Sequence, residues 1–121
     1  MQLLSTLFVL LVAIEHVYFL VLEMFLWMQP STMRVFGVTA DEAAIMKTLA
    51  ANQGLYNGFL AAGLFFSLIA SDASVAFAFK VFFLLCVIVA GIYGGMTVKP
   101  RIAIVQALPA VIALVVTLLA G

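Results

Sequence analysis

The chain has 121 residues, 68% of them hydrophobic and 8% charged, and its mean hydropathy is +1.36. About a quarter of a soluble domain's residues are charged, so this composition excludes water as the main solvent for the surface. Five basic and five acidic residues cancel, which leaves no electrostatic footprint for a nucleic-acid backbone.

A helix needs about 20 mostly apolar residues to cross the hydrocarbon layer, and four such spans with short connections nearly exhaust this length. The sequence is therefore read as one all-α integral membrane domain over residues 1–121. Its expected architecture is a four-transmembrane-helix bundle made of two antiparallel hairpins, with approximate spans 3–28, 48–71, 75–96 and 102–121. Membrane lipids are its first expected partner.

The opening run MQLLSTLFVLLVA lacks the basic start of an export signal and continues beyond Glu15 and His16 into VYFLVLEMFLW, so it is read as a retained first helix. Pro30 and Ser31 mark its exit, because proline disfavours helical continuation. Trp27, near that end, is read as an interfacial anchor. Glu15, His16 and Glu23 interrupt the apolar pattern. At 100° per residue Glu15, Phe19 and Glu23 share one face, and Glu23 lies about 12 Å along the axis from Glu15. An ionised carboxylate facing hydrocarbon is costly, so these groups are expected to face protein or enclosed water.

Thr39-Ala-Asp-Glu42 has the spacing of a capping box, which starts a second helix near Ala40. Its uncharged stretch from Thr48 to Ser71 is long enough to span. Asn52, Gln53, Tyr56 and Asn57 form a polar sector there, with Gly54 and Gly58 expected on the other side as a close-packing GxxxG face. Aligned antiparallel, Glu23 comes near the level of Asn52 and Gln53, and Tyr56 with Asn57 lies between the acidic residues. Glu15, His16, Glu23, Asn52, Gln53, Tyr56 and Asn57 are thus the candidate lining of a ligand-binding or proton-relay cavity.

Asp72, Ala73 and Ser74 punctuate the chain before the third span, where Lys80 can extend toward the headgroups. Cys86, inside FFLLCVIVAG, has no disulfide partner and reads as a small hydrophobe. Gly91 and Gly95 offer a second close-packing face. Lys99-Pro100-Arg101 closes the span, and Pro109 is expected to kink the fourth by freeing a preceding carbonyl. Arg34 and Lys47 flank the first connection and Lys99 and Arg101 occupy the third. The positive-inside tendency puts that face in the cytoplasm and both termini on the non-cytoplasmic side, with Lys80 opposing the trend.

Neighbouring Glu15 and His16 project about 100° apart, no HExxH motif accompanies them and there is no second histidine, so no metal is expected. No cofactor motif is present either. The residues leave three functions open: a polar intramembrane pocket that binds or transports a small or amphipathic ligand, a structural or oligomeric role with the polar stripes as interhelical glue, and a Glu/His acid–base enzyme. Homo-oligomerisation through a glycine face is a further option.

The runs HVYFLVLEMFLW, RVFG and especially NQGLYNGFLAAG resemble the small bacterial inner-membrane proteins classified as domain of unknown function 1304. The resemblance is carried by the first two helices and their connection. It implies four membrane helices and a location in the bacterial inner (cytoplasmic) membrane. It also makes His16, Glu23, Asn52, Gln53, Tyr56 and Asn57 the motif positions, and it brings no settled activity with it.

Overall fold

A computed structural model describes residues 1–121 and is all-helical. The helices are α1 (Gln2–Met24), α2 (Pro30–Phe36), α3 (Ala40–Ile69), α4 (Ala73–Thr97) and α5 (Pro100–Ala120). Three of them, α1, α4 and α5, are long and apolar enough to cross a membrane. The longest, α3 with 30 residues, is not among the three. Asn52, Gln53 and Asn57 interrupt the stretch expected to span and lower its hydropathy.

Local chemistry accounts for the helix ends. α1 stops at Met24, ahead of the predicted Met28. Pro30 does more than end a helix: it opens α2 from the first turn, where its missing N–H is not needed. Gly37 closes α2 with φ 68°, a left-handed conformation that a side chain would strain. The capping box at α3 is formed as read. The Thr39 N–H donates to Glu42 Oε1 at 2.8 Å, and the Glu42 N–H donates to Thr39 Oγ1 at 3.2 Å. Asp72 caps α4 by accepting from the Ser74 and Val75 amides at 2.9 and 3.1 Å and from the Ser74 hydroxyl at 2.6 Å. In α5 the ladder absorbs Pro109 through a π-helical turn over Ala103–Ala107, so that the Leu108 N–H reaches back to the Ala103 carbonyl.

The chain divides into two compact units, Glu15–Phe59 and Met1–Ile14 with Leu60–Gly121. The larger unit has a core of Val9, Val12 and Ala13 from α1, Leu64 from α3, Leu84 and Val87 from α4, and Ala110 and Ala113 from α5. Small side chains let α4 and α5 approach closely. A Cβ on Gly91 would lie 2.6 Å from the Ala107 nitrogen, and one on Gly95 would lie 2.6 Å from the Ala103 Cβ. Both glycines therefore belong to packing within the chain. At the chain ends, the Ser5 and Thr117 hydroxyls are 2.7 Å apart in a buried hydrogen bond.

The smaller unit holds the end of α1, all of α2 and the first two-thirds of α3. Contacts run from Leu20 with Gly58, through Glu23 with Asn57, to Met24 with Gly54, so α1 and α3 are antiparallel here. Trp27 is buried at the turn with Ala43 and Ala50. Its indole N–H donates to the Ala43 carbonyl at 2.8 Å, and its ring meets Phe36 at 5.2 Å. The predicted interfacial anchor is instead the centre of a small core that ties α1, α2 and α3 together.

Candidate functional site: a carboxylate clamp and an open carboxylate

Glu23 lies one residue from the end of α1 and is only 2% exposed. Its two oxygens are used separately. Gln53 Nε2 donates to Oε2 and Asn57 Nδ2 donates to Oε1, each at 2.6 Å. Gln53 and Asn57 are four residues apart, one turn along the same face of α3, and this spacing lets both carboxamides reach one carboxylate. Short bonds of this kind to a carboxylate are the stronger class. Gly54 makes the approach possible, since a Cβ there would meet Met24 Cγ at 2.7 Å and Glu23 Cβ at 3.1 Å. The glycines therefore lie on the α1 side of α3, with Gln53 and Asn57, and not on the opposite side.

Glu15 and His16 form a second polar group, two turns earlier in α1. His16 is fully buried, its ring edge against Phe19 at a centroid distance of 5.4 Å. Its Nδ1 is 3.9 Å from Glu15 Oε1, beyond hydrogen-bond reach. That oxygen is buried and accepts no hydrogen bond, whereas each Glu23 oxygen has a donor.

The two remaining candidates, Asn52 and Tyr56, face outward. Both are exposed, Tyr56 at 63%, and Tyr56 makes an edge-on contact with Phe59 at 5.8 Å. The predicted lining thus separates into three groups: Glu23 with Gln53 and Asn57, Glu15 with His16, and Asn52 with Tyr56. Sequence reasoning did not single out Thr32 of α2, which is 1% exposed with a hydroxyl that has no partner. No periodic pattern in a seven-residue helix would have marked it.

Two surface hollows lie away from these groups. One of about 570 Å³ runs along α4 beside Cys86 and Tyr93. The other, of about 490 Å³, is lined by Gln2, Ser74, Lys80 and Thr117 among others.

The chain is 32% identical over 117 residues to the uncharacterized protein YpaA of Lactococcus lactis subsp. lactis (strain IL1403), covering 95% of this chain and 97% of that protein. No solved structure matches it. Residues 10–118 match the family described as "Protein of unknown function (DUF1304)", and the chain belongs to that family.

Proposed function

We propose that this is a four-span protein of the bacterial cytoplasmic membrane whose first hairpin binds a small or amphipathic ligand at Glu15 and His16. α3 supplies the fourth crossing. Its 30 residues extend about 45 Å, more than the hydrocarbon thickness, and the polarity of Gln53 and Asn57 is turned inward onto Glu23. Four crossings put both termini on one side. Arg34, Lys47, Lys99 and Arg101 at the opposite ends of the hairpins favour the cytoplasm for that opposite side.

The observation that carries the ligand reading is the buried, unpartnered Glu15 oxygen beside a buried histidine. A hydrogen-bond donor or a protonated amine on the ligand would satisfy that oxygen and lower the cost of holding it away from water. Glu23 is already satisfied, so its part is to fix α1 against α3 and thereby hold Glu15 in place.

A purely structural role for the stripes is the second reading, and the direct Glu23 clamp favours it. Equilibrium dialysis of a labelled long-chain amine against the protein in lipid nanodiscs separates the two. The ligand reading expects saturable binding that weakens by about tenfold or more in a stably folded Glu15→Gln variant. Equal binding by both proteins would refute it. Loss of stability in Glu15→Gln, with no saturable binding in the wild type, would leave the structural role.

A further inference from the structure

The face of α3 turned away from α1 has its own pattern. Ile45, Thr48, Asn52, Leu55 and Phe59 recur at alternating intervals of three and four, the spacing of a helix seam. All five are exposed, Ile45 at 83% and Phe59 at 55%. Four of them would be at home against lipid. Asn52 is not: its carboxamide makes no hydrogen bond within the chain, and it lies about 6 Å inside the uncharged stretch that begins at Thr48.

We propose that this face is where a second copy of the chain docks, forming a parallel α3–α3 pair with the two Asn52 carboxamides bonded to each other. The inference rests on α3 crossing the membrane as proposed above. Insertion in one orientation puts Asn52 at the same depth in every copy. A carboxamide carries both a donor and an acceptor, so its natural complement at that depth is another Asn52. A single asparagine in such a seam fixes register and pairs reciprocally across a two-fold axis. Small Thr48, one turn away, allows the backbones to approach. The glycine faces expected to serve self-association are not free for it: Gly54 and Gly58 pack on α1, and Gly91 and Gly95 pack on α5.

Cysteine cross-linking in isolated membranes tests the pair in a Cys86→Ala background. Under mild oxidation Thr48→Cys is expected to give a disulfide-linked dimer, whereas Lys47→Cys, at nearly the same depth but about 100° around the helix, is not. Adding Asn52→Leu to Thr48→Cys leaves the internal packing untouched. It is expected to weaken association, read by energy transfer between labelled copies in vesicles, on the order of three- to thirtyfold. No dimer from Thr48→Cys, equal cross-linking at both positions, or a cross-link at the mass of some other protein would overturn the proposal. Labelling of Lys47→Cys and Ser71→Cys, both off the seam, with an impermeant maleimide tests the underlying topology separately. Access from opposite sides keeps the span, and access from one side removes it together with the argument for a common depth.

Discussion

Replacing Glu23 by alanine measures what the clamp contributes. The substitution removes both acceptors and leaves Asn57, 7% exposed, with a buried carboxamide and no partner. An orphaned buried amide costs about 1–3 kcal/mol. Interhelical hydrogen bonds in membranes average about 0.6 kcal/mol and reach about 1.7. Gln53 is exposed and can turn toward other partners, so its share belongs at the lower end and that of Asn57 at the upper. The expected loss for Glu23→Ala is about 2–3 kcal/mol. Glu23→Gln keeps an acceptor and gains a donor, so with one neighbouring amide turned over both contacts survive, at a cost below about 1 kcal/mol. The assay is unfolding by SDS in mixed micelles, followed through Trp27, the sole and buried tryptophan. A double-mutant cycle should give a coupling of about 1–2 kcal/mol between Glu23 and Asn57 and less than about 0.5 between Glu23 and Gln53. Additivity of Glu23→Ala and Asn57→Ala within about 0.5 kcal/mol would refute the clamp.

Glycine substitutions should rank by what a new Cβ meets. Gly91→Ala strikes the Ala107 backbone and should cost most, Gly54→Ala meets Met24 and Glu23 side chains and should cost about 1–3 kcal/mol, and Gly58→Ala meets only the flexible end of Leu20 and should be nearly neutral. Retention of stability in Gly91→Ala in the same SDS titration would contradict the close α4–α5 contact. Trp27→Phe keeps an aromatic ring but loses the bond to the Ala43 carbonyl, and should cost about 1–2 kcal/mol with earlier amide exchange in α2. Outside the spans, Asp72 is held below the ordinary carboxylate range by the Ser74 hydroxyl and then by the Val75 and Ser74 amides. A carboxyl lowered in the folded state stabilises above its ordinary value, and that contribution is lost as the pH falls through the lowered one. Acidification through that window should therefore lower the protection of the Ser74 and Val75 amides relative to their intrinsic exchange rates at each pH, and Asp72→Asn should flatten the response.

Much of the fold was legible because its signals are local. The capping box at Thr39, the punctuation at Asp72, Ala73 and Ser74 and the apolar runs of α1, α4 and α5 need no knowledge of distant residues. Trp27 and Pro30 were misread for a common reason. A tryptophan and a proline at the end of an apolar run suit a helix leaving the membrane, but here the chain folds back through α2 and buries the indole against Ala43. That reversal depends on a contact sixteen residues away. Pro109 was expected to kink the last helix by freeing a carbonyl, and the structure has a π-helical turn over Ala103–Ala107 just ahead of it. The form of that turn, with the Leu108 N–H bonded to the Ala103 carbonyl, lies where Ala103 and Ala107 pack on the α4 glycines, a contact between distant residues that the local pattern does not show.

The polar residues of α3 show where reading by residue type stops. Hydropathy treats Asn52, Gln53 and Asn57 alike, and their sum keeps α3 from qualifying as a span on composition. Geometry separates them. Gln53 and Asn57 hold the two oxygens of Glu23, so their polarity and that of the carboxylate are satisfied inside the hairpin. Asn52 lies about 100° around the helix from Gln53 and faces outward. The cost of carrying a polar group into a bilayer is set by its partner, not by its name. By that measure α3 carries one unmet demand at Asn52, and α1 carries one at Glu15. Those two positions, more than the conspicuous clamp between them, are where the proposed ligand and the proposed second copy would each make a hydrogen bond.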